Sequence, residues 1–268
     1  MQGIMCEREG GLYKCVKIYM FWGDFDALCR CFSMSFLEIS LFWRMNLWLK
    51  KVLSYLFPQH LKTVESPYSG KLELVVVNGA VLLDSENSNY SYGSLHRILE
   101  IGIAEVGLDA RFRSALVLGM GGGSIVKIIR DKLNSKAAID LVEMDPVVIV
   151  IAKEVYQIQQ YRDVRIIHAR AEDFVRSSGS KYDFILVDLF IQSTIPKACL
   201  SSEFLIGLGE MLQPGGVLMY NTIAETMEVN GLEELCRQLE QAQLTCRIVR
   251  KVLGTNDLVI AKKAKVEN

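Results

Sequence analysis

The chain has 268 residues, of which 50% are hydrophobic and 23% charged, with a formal net charge of −1. This length allows one full α/β domain with an extension, or two small domains, and the apolar share suits a folded chain with a large core. The near-zero charge shows nothing that would attract nucleic acid, whose electrostatic footprint is a basic domain or stripe, and no uncharged apolar run approaches the ~18 residues of a membrane span.

Residues 1–44 are aromatic, cysteine-rich and without a steady period of two or 3.6. They are read as an upstream extension of uncertain role, with Met45 as the natural start; a membrane-surface or partner-binding arm is the alternative. They lack the basic start, unbroken apolar stretch and small-residue cleavage site of a signal peptide. Of seven cysteines, Cys6, Cys15, Cys29 and Cys31 fall here, and Cys29–Cys31 lacks the two-residue spacing of a zinc or redox pair. Reduced thiols in a cytoplasmic protein are expected, and no metal site. Residues 45–64 hold a short amphipathic helix in MNLWLKKVLSYLF, ended by Pro58. Residues 65–106 are expected to form a small β-hairpin module and a linking helix over Ser94–Val106. The module's signal is Asn78-Gly79 between two apolar runs, the usual mark of a tight hairpin.

Residues 107–268 carry the main domain. Ala115–Leu118 is an apolar strand that runs directly into Gly119, Gly121, Gly122 and Gly123. Glycine permits positive φ in so sharp a turn and lets a ligand approach the backbone. A helix over Ser124–Leu133 and a strand over Ile139–Val142 follow. Glu143 closes that strand, where doubly wound α/β folds place the carboxylate that accepts hydrogen bonds from ribose hydroxyls. Turn, strands and acid together point to a nucleoside-containing cofactor. Asp145 is read as the cap of a helix that begins with Pro146.

Strands and helices keep alternating beyond this point, as a mostly parallel sheet covered on both faces requires. Asp188 ends the strand YDFILVD, whose carboxyl end opens onto the ligand crevice. A buried carboxylate needs a task or a partner; a helix-capping or loop-bonding role stays open beside the chemical one. The last two strands are joined by Leu253–Asp257, too short for a helical crossover, so the final strand should be antiparallel. Seven strands ending this way give an α/β fold with a Rossmann-like class I methyltransferase sheet.

Six segments, SPYSGKLELVVVNGAVLLD, NYSYGSLH, LVLGMGGGSIVKII, LVEMDPVVI, KYDFILVD and LQPGGVLMYNT, occur in the order found in the spermidine synthase (polyamine aminopropyltransferase) family, which the chain resembles from Glu65 to Val259. The resemblance implies a small β domain ahead of a methyltransferase-like Rossmann domain, with S-adenosylmethionine or decarboxylated S-adenosylmethionine as cofactor. It makes Gly119, Gly121, Gly122, Gly123, Glu143, Ala171 and Asp188 the candidate cofactor contacts, with Gly119, Gly121 and Gly123 at the methionine-derived tail and Glu143 at the ribose. Asp188 becomes the candidate catalytic base, and Tyr92 the candidate acceptor contact.

The departures from that family leave the cofactor half of the site largely in place and fall mostly on the acceptor half. Its usual Gly-Gly-Gly-Asp-Gly-Gly turn is here Gly119-Met120-Gly121-Gly122-Gly123-Ser124, and its Asp-Ser-Ser-Asp-Pro is Asp188-Leu189-Phe190-Ile191-Gln192. Gly93 follows Tyr92 where Gln or His is common, and Arg170 replaces an aspartate that usually meets the adenine amino group. Two cationic amines need carboxylates to offset their desolvation. Methyl transfer to a small acceptor is therefore expected over aminopropyl transfer to putrescine. The alternatives are a non-catalytic nucleoside-cofactor-binding protein and, third, a nicotinamide-dependent oxidoreductase. A small-molecule partner is expected, with no nucleic acid and no transmembrane segment; a homodimer is left open.

Overall fold

The structure, a computed structural model, describes residues 8–9, 12–13, 47–85, 88–91, 93–191 and 193–265. In the extension, only the antiparallel pair Arg8–Glu9 and Leu12–Tyr13 is described. A short helix over 47–53 is tied to the β module at its end, where Ser54 accepts from the Gly79 N–H at 2.8 Å. Four antiparallel strands follow in sequential order: β1 (Gln59–Ser66), β2 (Gly70–Val77), β3 (Ala80–Ser85) and β4 (Ser88–Ser91). The sheet thus begins at Gln59, directly after the Pro58 that ends the helix but within the 45–64 segment set ahead of the β module, and is larger than a hairpin. β1 was missed because it is a polar, mostly exposed edge strand with no apolar alternation to read. The β2–β3 turn is the expected one, with φ of 49° at Asn78 and 77° at Gly79.

α1 (Ser94–Val106) leads into the main domain. Its elements are β5 (Ser114–Leu118), α2 (Ser124–Lys127), β6 (Ala138–Glu143), α3 (Pro146–Glu154), β7 (Val164–His168), α4 (Ala171–Ser177), β8 (Tyr182–Val187), α5 (Ser202–Met211), β9 (Leu212–Ile223), α6 (Gly231–Gln241), β10 (Leu244–Val252) and β11 (Asn256–Lys263). α2 continues as a π-helical turn over Ile128–Lys132 rather than as the regular helix expected to Leu133. The strand order is β10-β11-β9-β8-β5-β6-β7; all neighbours are parallel except β11, which lies antiparallel between β9 and β10.

Period-two burial builds the layers. Leu116, Leu118, Ile185, Val187, Leu218 and Tyr220 pack against α4, α5 and α6. Ala115, Val117, Phe184, Leu186 and Met219 pack on the other face with α1, α2 and α3. Successive side chains of a strand point to opposite faces, so both become core only in a covered sheet. The small sheet has its own core, Leu72, Leu74 and Leu83, against Val148 and Ile151 of α3.

One expectation is corrected at the domain's edge. Cys236 of α6 and Cys246 of β10 form a disulfide, with Cα atoms 5.7 Å apart, rather than remaining reduced. The tight α6–β10 turn brings helix and strand side by side, which sequence spacing alone did not reveal. Cys199 is a free, buried thiol.

Candidate active site

The carboxyl ends of β5, β6, β8 and β9 open onto one cleft of about 420 Å³. Gly119, Gly121, Glu143 and Asp188 line it together with Asn221, Thr255 and Asn256. Four candidate residues are thus brought together from three separate strand ends. Gly122, Gly123 and Ala171 are buried and are not among the lining residues. Tyr92 lies outside the described residues. Arg170 and Glu172 pair with each other at 2.6 Å and do not line the cleft either.

The glycine turn is a backbone requirement. Gly119, Gly121 and Gly123 have φ of 84°, 48° and 77°. A Cβ on Gly119 would come within 2.1 Å of the Asp188 carbonyl oxygen, so the β5 and β8 ends approach as closely as they do only because that residue has no side chain. At Gly123 the added atom would meet Ile158 Cδ1 at 2.3 Å. That glycine therefore serves packing behind the turn.

Glu143 is half-buried and already holds two backbone donors: Oε1 accepts from the Asp145 N–H at 2.9 Å and Oε2 from the Met120 N–H at 3.2 Å. Burial raises its pKa despite those bonds, and the nearby Asp145 charge adds to the rise. Each oxygen keeps acceptor capacity for a ligand hydroxyl. Asp145, read from sequence as a helix cap, does accept from the Val147 N–H at 2.9 Å. It does more: its Oδ2 accepts from Ser66 Oγ at 2.5 Å and Ser69 Oγ at 2.6 Å, which fastens the β1–β2 turn to the cleft beside Glu143.

Asp188 Oδ1 accepts from Asn221 Nδ2 at 2.8 Å, and Oδ2 has no hydrogen-bond partner among the described residues. Burial pushes its pKa up to about 6, and the Asn221 bond acts in the opposite sense. After Asp188 the wall is mostly apolar, formed by Leu189, Phe190, Ile191 and Pro196 with Ser193 between them. Among the described lining residues there are four carboxylates, Glu143, Asp145, Asp188 and Glu225, and no lysine, arginine or histidine. Such a cleft favours cationic over anionic ligands.

Sequence reasoning missed Asn221, Thr255 and Asn256. Asn221 could have been found as the first polar residue after the apolar run Val217–Tyr220, at a parallel strand's carboxyl end. Asn256 gave no signal, because it sat in a segment read only as a turn.

A cradle that only glycine permits, beside a carboxylate with spare acceptor capacity, fits a nucleoside cofactor. Glu143→Ala is expected to weaken binding of such a ligand by about ten- to a hundredfold, the loss of a hydrogen bond to a charged group. Calorimetric titration of S-adenosylmethionine checks this, and unchanged affinity would remove Glu143 from the ribose contact.

A polyamine aminopropyltransferase of Vibrio vulnificus (strain CMCP6) is 35% identical over 112 residues, covering 41% of this chain and 37% of the relative. An eEF1A lysine and N-terminal methyltransferase of Danio rerio is 27% identical over 143 residues, covering 48% of this chain and 21% of the relative. The chain therefore spans well under half the length of these curated relatives. A crystal structure of spermidine synthase in complex with the transition state analogue AdoDATO superposes with a TM-score of 0.61 at 15% identity, covering 78% of this chain and 75% of that one. It shares the fold. The Spermine/spermidine synthase domain matches residues 100–255, which run from α1 through the glycine turn, Glu143 and Asp188 to the last hairpin. With more than half of its length inside that match, the chain belongs to the spermine/spermidine synthase family.

Proposed function

We propose that the chain is a transferase that moves a carbon group from the sulfonium of S-adenosylmethionine, or its decarboxylated form, to a small amine. Methyl transfer is the reading favoured over aminopropyl transfer to putrescine. The sulfonium supplies an electrophilic carbon and leaves as a neutral thioether with the C–S electron pair. The chain's own residues do the rest. Glu143 takes the ribose hydroxyls, and the turn at Gly119 and Gly121 offers open backbone to the remainder of the ligand. The acceptor nitrogen attacks with its lone pair, and Asp188 Oδ2 receives the proton that the nitrogen must lose, a contribution typically of about 10²–10⁴-fold. Alignment of the reacting atoms supplies much of the remaining acceleration.

The observation that carries this reading is the contrast within the cleft wall. Asp188 presents an open carboxylate oxygen, while the residues that follow it, Leu189, Phe190 and Ile191, are apolar. One cationic nitrogen finds the Asp188 carboxylate, but Leu189–Ile191 offer the second ammonium of a diamine no carboxylate on that stretch of wall, which leaves only the lining acids of other segments to pair with it. An amine with an apolar substituent fits better than putrescine. Relatives of both kinds, an aminopropyltransferase and a methyltransferase, are consistent with a shared sulfonium donor.

The test is to titrate the protein with S-adenosylmethionine, its decarboxylated form and NAD, and then to offer putrescine and apolar monoamines with the donor that binds. Turnover of monoamines well above putrescine is expected, read by mass spectrometry of the products. Efficient spermidine formation would overturn the acceptor assignment. Donor binding without turnover of any amine would favour a non-catalytic binding protein, and binding of NAD alone would favour an oxidoreductase.

A further inference from the structure

The cleft is backed by a chain of buried amides. Asn221 of β9 is 0% exposed and Asn256 of β11 is 7% exposed. Thr255 Oγ1 donates to Asn256 Oδ1 at 2.9 Å, Asn256 Nδ2 donates to Asn221 Oδ1 at 2.9 Å, and Asn221 Nδ2 donates to Asp188 Oδ1 at 2.8 Å. Register explains the contact: Asn221 lies opposite Leu258 and Ile223 opposite Asn256, so the two asparagines are diagonal neighbours on one face. Val187 pairs with Tyr220, which sets Asp188 beside Asn221 at the end of the adjoining strand.

The direction of this chain follows from its last member. An ionised carboxylate only accepts. Asn221 must therefore present its NH₂ to Asp188, which turns its carbonyl to Asn256. Asn256 must then present NH₂ in turn, and its own carbonyl is left to the Thr255 hydroxyl. If Asn256 did not donate, the Asn221 amide would be free to reverse and set oxygen against oxygen at Asp188. Unsatisfied buried amides are costly, so an intact chain of this kind holds one arrangement.

We propose that Asn221 and Asn256 are positioning residues for Asp188. They occupy one carboxylate oxygen, favour its charged form, and leave Oδ2 aimed into the cleft. The assignment of a catalytic purpose rests on Asp188 being the base; the hold on the carboxylate does not. The other titratable groups lining the cleft are the carboxyls of Glu143, Asp145 and Glu225 and the phenol of Tyr68, and among the described lining residues no lysine, arginine or histidine is present to stabilise the Asp188 charge instead.

The test has an arm that needs no acceptor. The Asp188 carboxyl titration, followed by ¹³C NMR in the full chain and assigned with Asp188→Asn, is compared with that of Asn256→Asp, which keeps the shape but loses the donor. In Asn256→Asp the midpoint should move upward by about one pH unit or more, because the lost hydrogen bond and the new carboxylate act in the same sense, and Thr255→Val, which adds no charge, isolates the hydrogen-bond part. Thr255→Val, at an exposed position, serves should Asn256→Asp not fold, and should move the midpoint in the same direction by less. On an accepted amine, Asn256→Asp should lower kcat about ten- to a hundredfold, leave KM for the sulfonium donor unchanged, and carry the acid limb of the pH profile upward with the NMR midpoint. A folded Asn256→Asp or Thr255→Val protein with an unmoved midpoint would overturn the proposal. Should Asp188→Asn itself keep full turnover, the base assignment fails, and a moved midpoint would then confine the amides to fixing a carboxylate with no part in proton transfer.

Discussion

Asp188→Asn is expected to reduce turnover of an accepted amine by about 10²–10⁴-fold, with donor affinity little changed if, as proposed, Glu143 takes the ribose. The same substitution should stabilise the protein above pH 6. Burial raises the Asp188 pKa from the ordinary 3.8 to about 6. The folded state therefore binds this proton more tightly than the unfolded chain, so a penalty on folding builds up as the pH rises from about 4 to about 6 and is complete above that. Below about pH 4 the carboxyl is protonated in both states and the penalty vanishes. Asparagine escapes it while keeping an oxygen to accept from Asn221. Urea unfolding should place Asp188→Asn above the parent by about 1–3 kcal/mol at pH 8, the worth of a shift of this size, with the gap narrowing as the pH falls from 6 towards 4. Lower stability at pH 8 with full specific activity of the folded fraction would make Asp188 a structural residue.

Gly119→Ala is expected to cost about 3 kcal/mol or more and to abolish tight donor binding. Two terms combine. The φ of 84° places a side chain in the left-handed region, at about 1–2 kcal/mol. The new Cβ would also lie 2.1 Å from the Asp188 carbonyl oxygen, a backbone atom that can move only if the β5 and β8 ends part, at about 1–3 kcal/mol. Gly107→Ala separates the terms, since its φ is 68° with nothing within 4 Å of the added atom. It should show the conformational cost alone and leave donor binding intact. Equal losses at the two glycines would mean that the close strand approach contributes nothing.

The parts of this fold that were legible were those governed by local chemistry. Gly119–Gly123 after an apolar strand, Asp145 before Pro146, and a five-residue link before the final strand each carry their reason within a few residues. The parts that were not legible depend on distant partners. β1 has no apolar row because it is an edge strand, and its role is plain only once β2 lies beside it. The Cys236–Cys246 pairing depends on how α6 folds back on β10. Likewise for the site: Glu143 and Asp188 announce themselves as acids at the ends of apolar strands, whereas Asn256 gains its neighbour Asn221 from a strand 35 residues earlier in the chain. Ser66 and Ser69 reach Asp145 across more than 70 residues.

The place of β11 has a consequence for how the protein comes into being. Order in the sheet is not order of synthesis. β11, the last strand of the sheet to leave the ribosome, is inserted between β9 and β10. Until it arrives, the 12-residue β9 is the open margin of a parallel sheet, with unpaired backbone groups beside Leu218 and Tyr220. That margin is a template on which a strand from another molecule can also pair. During this interval the cleft lacks Thr255 and Asn256 altogether, so a growing chain should be at its most adhesive while the wall of its cleft is still incomplete.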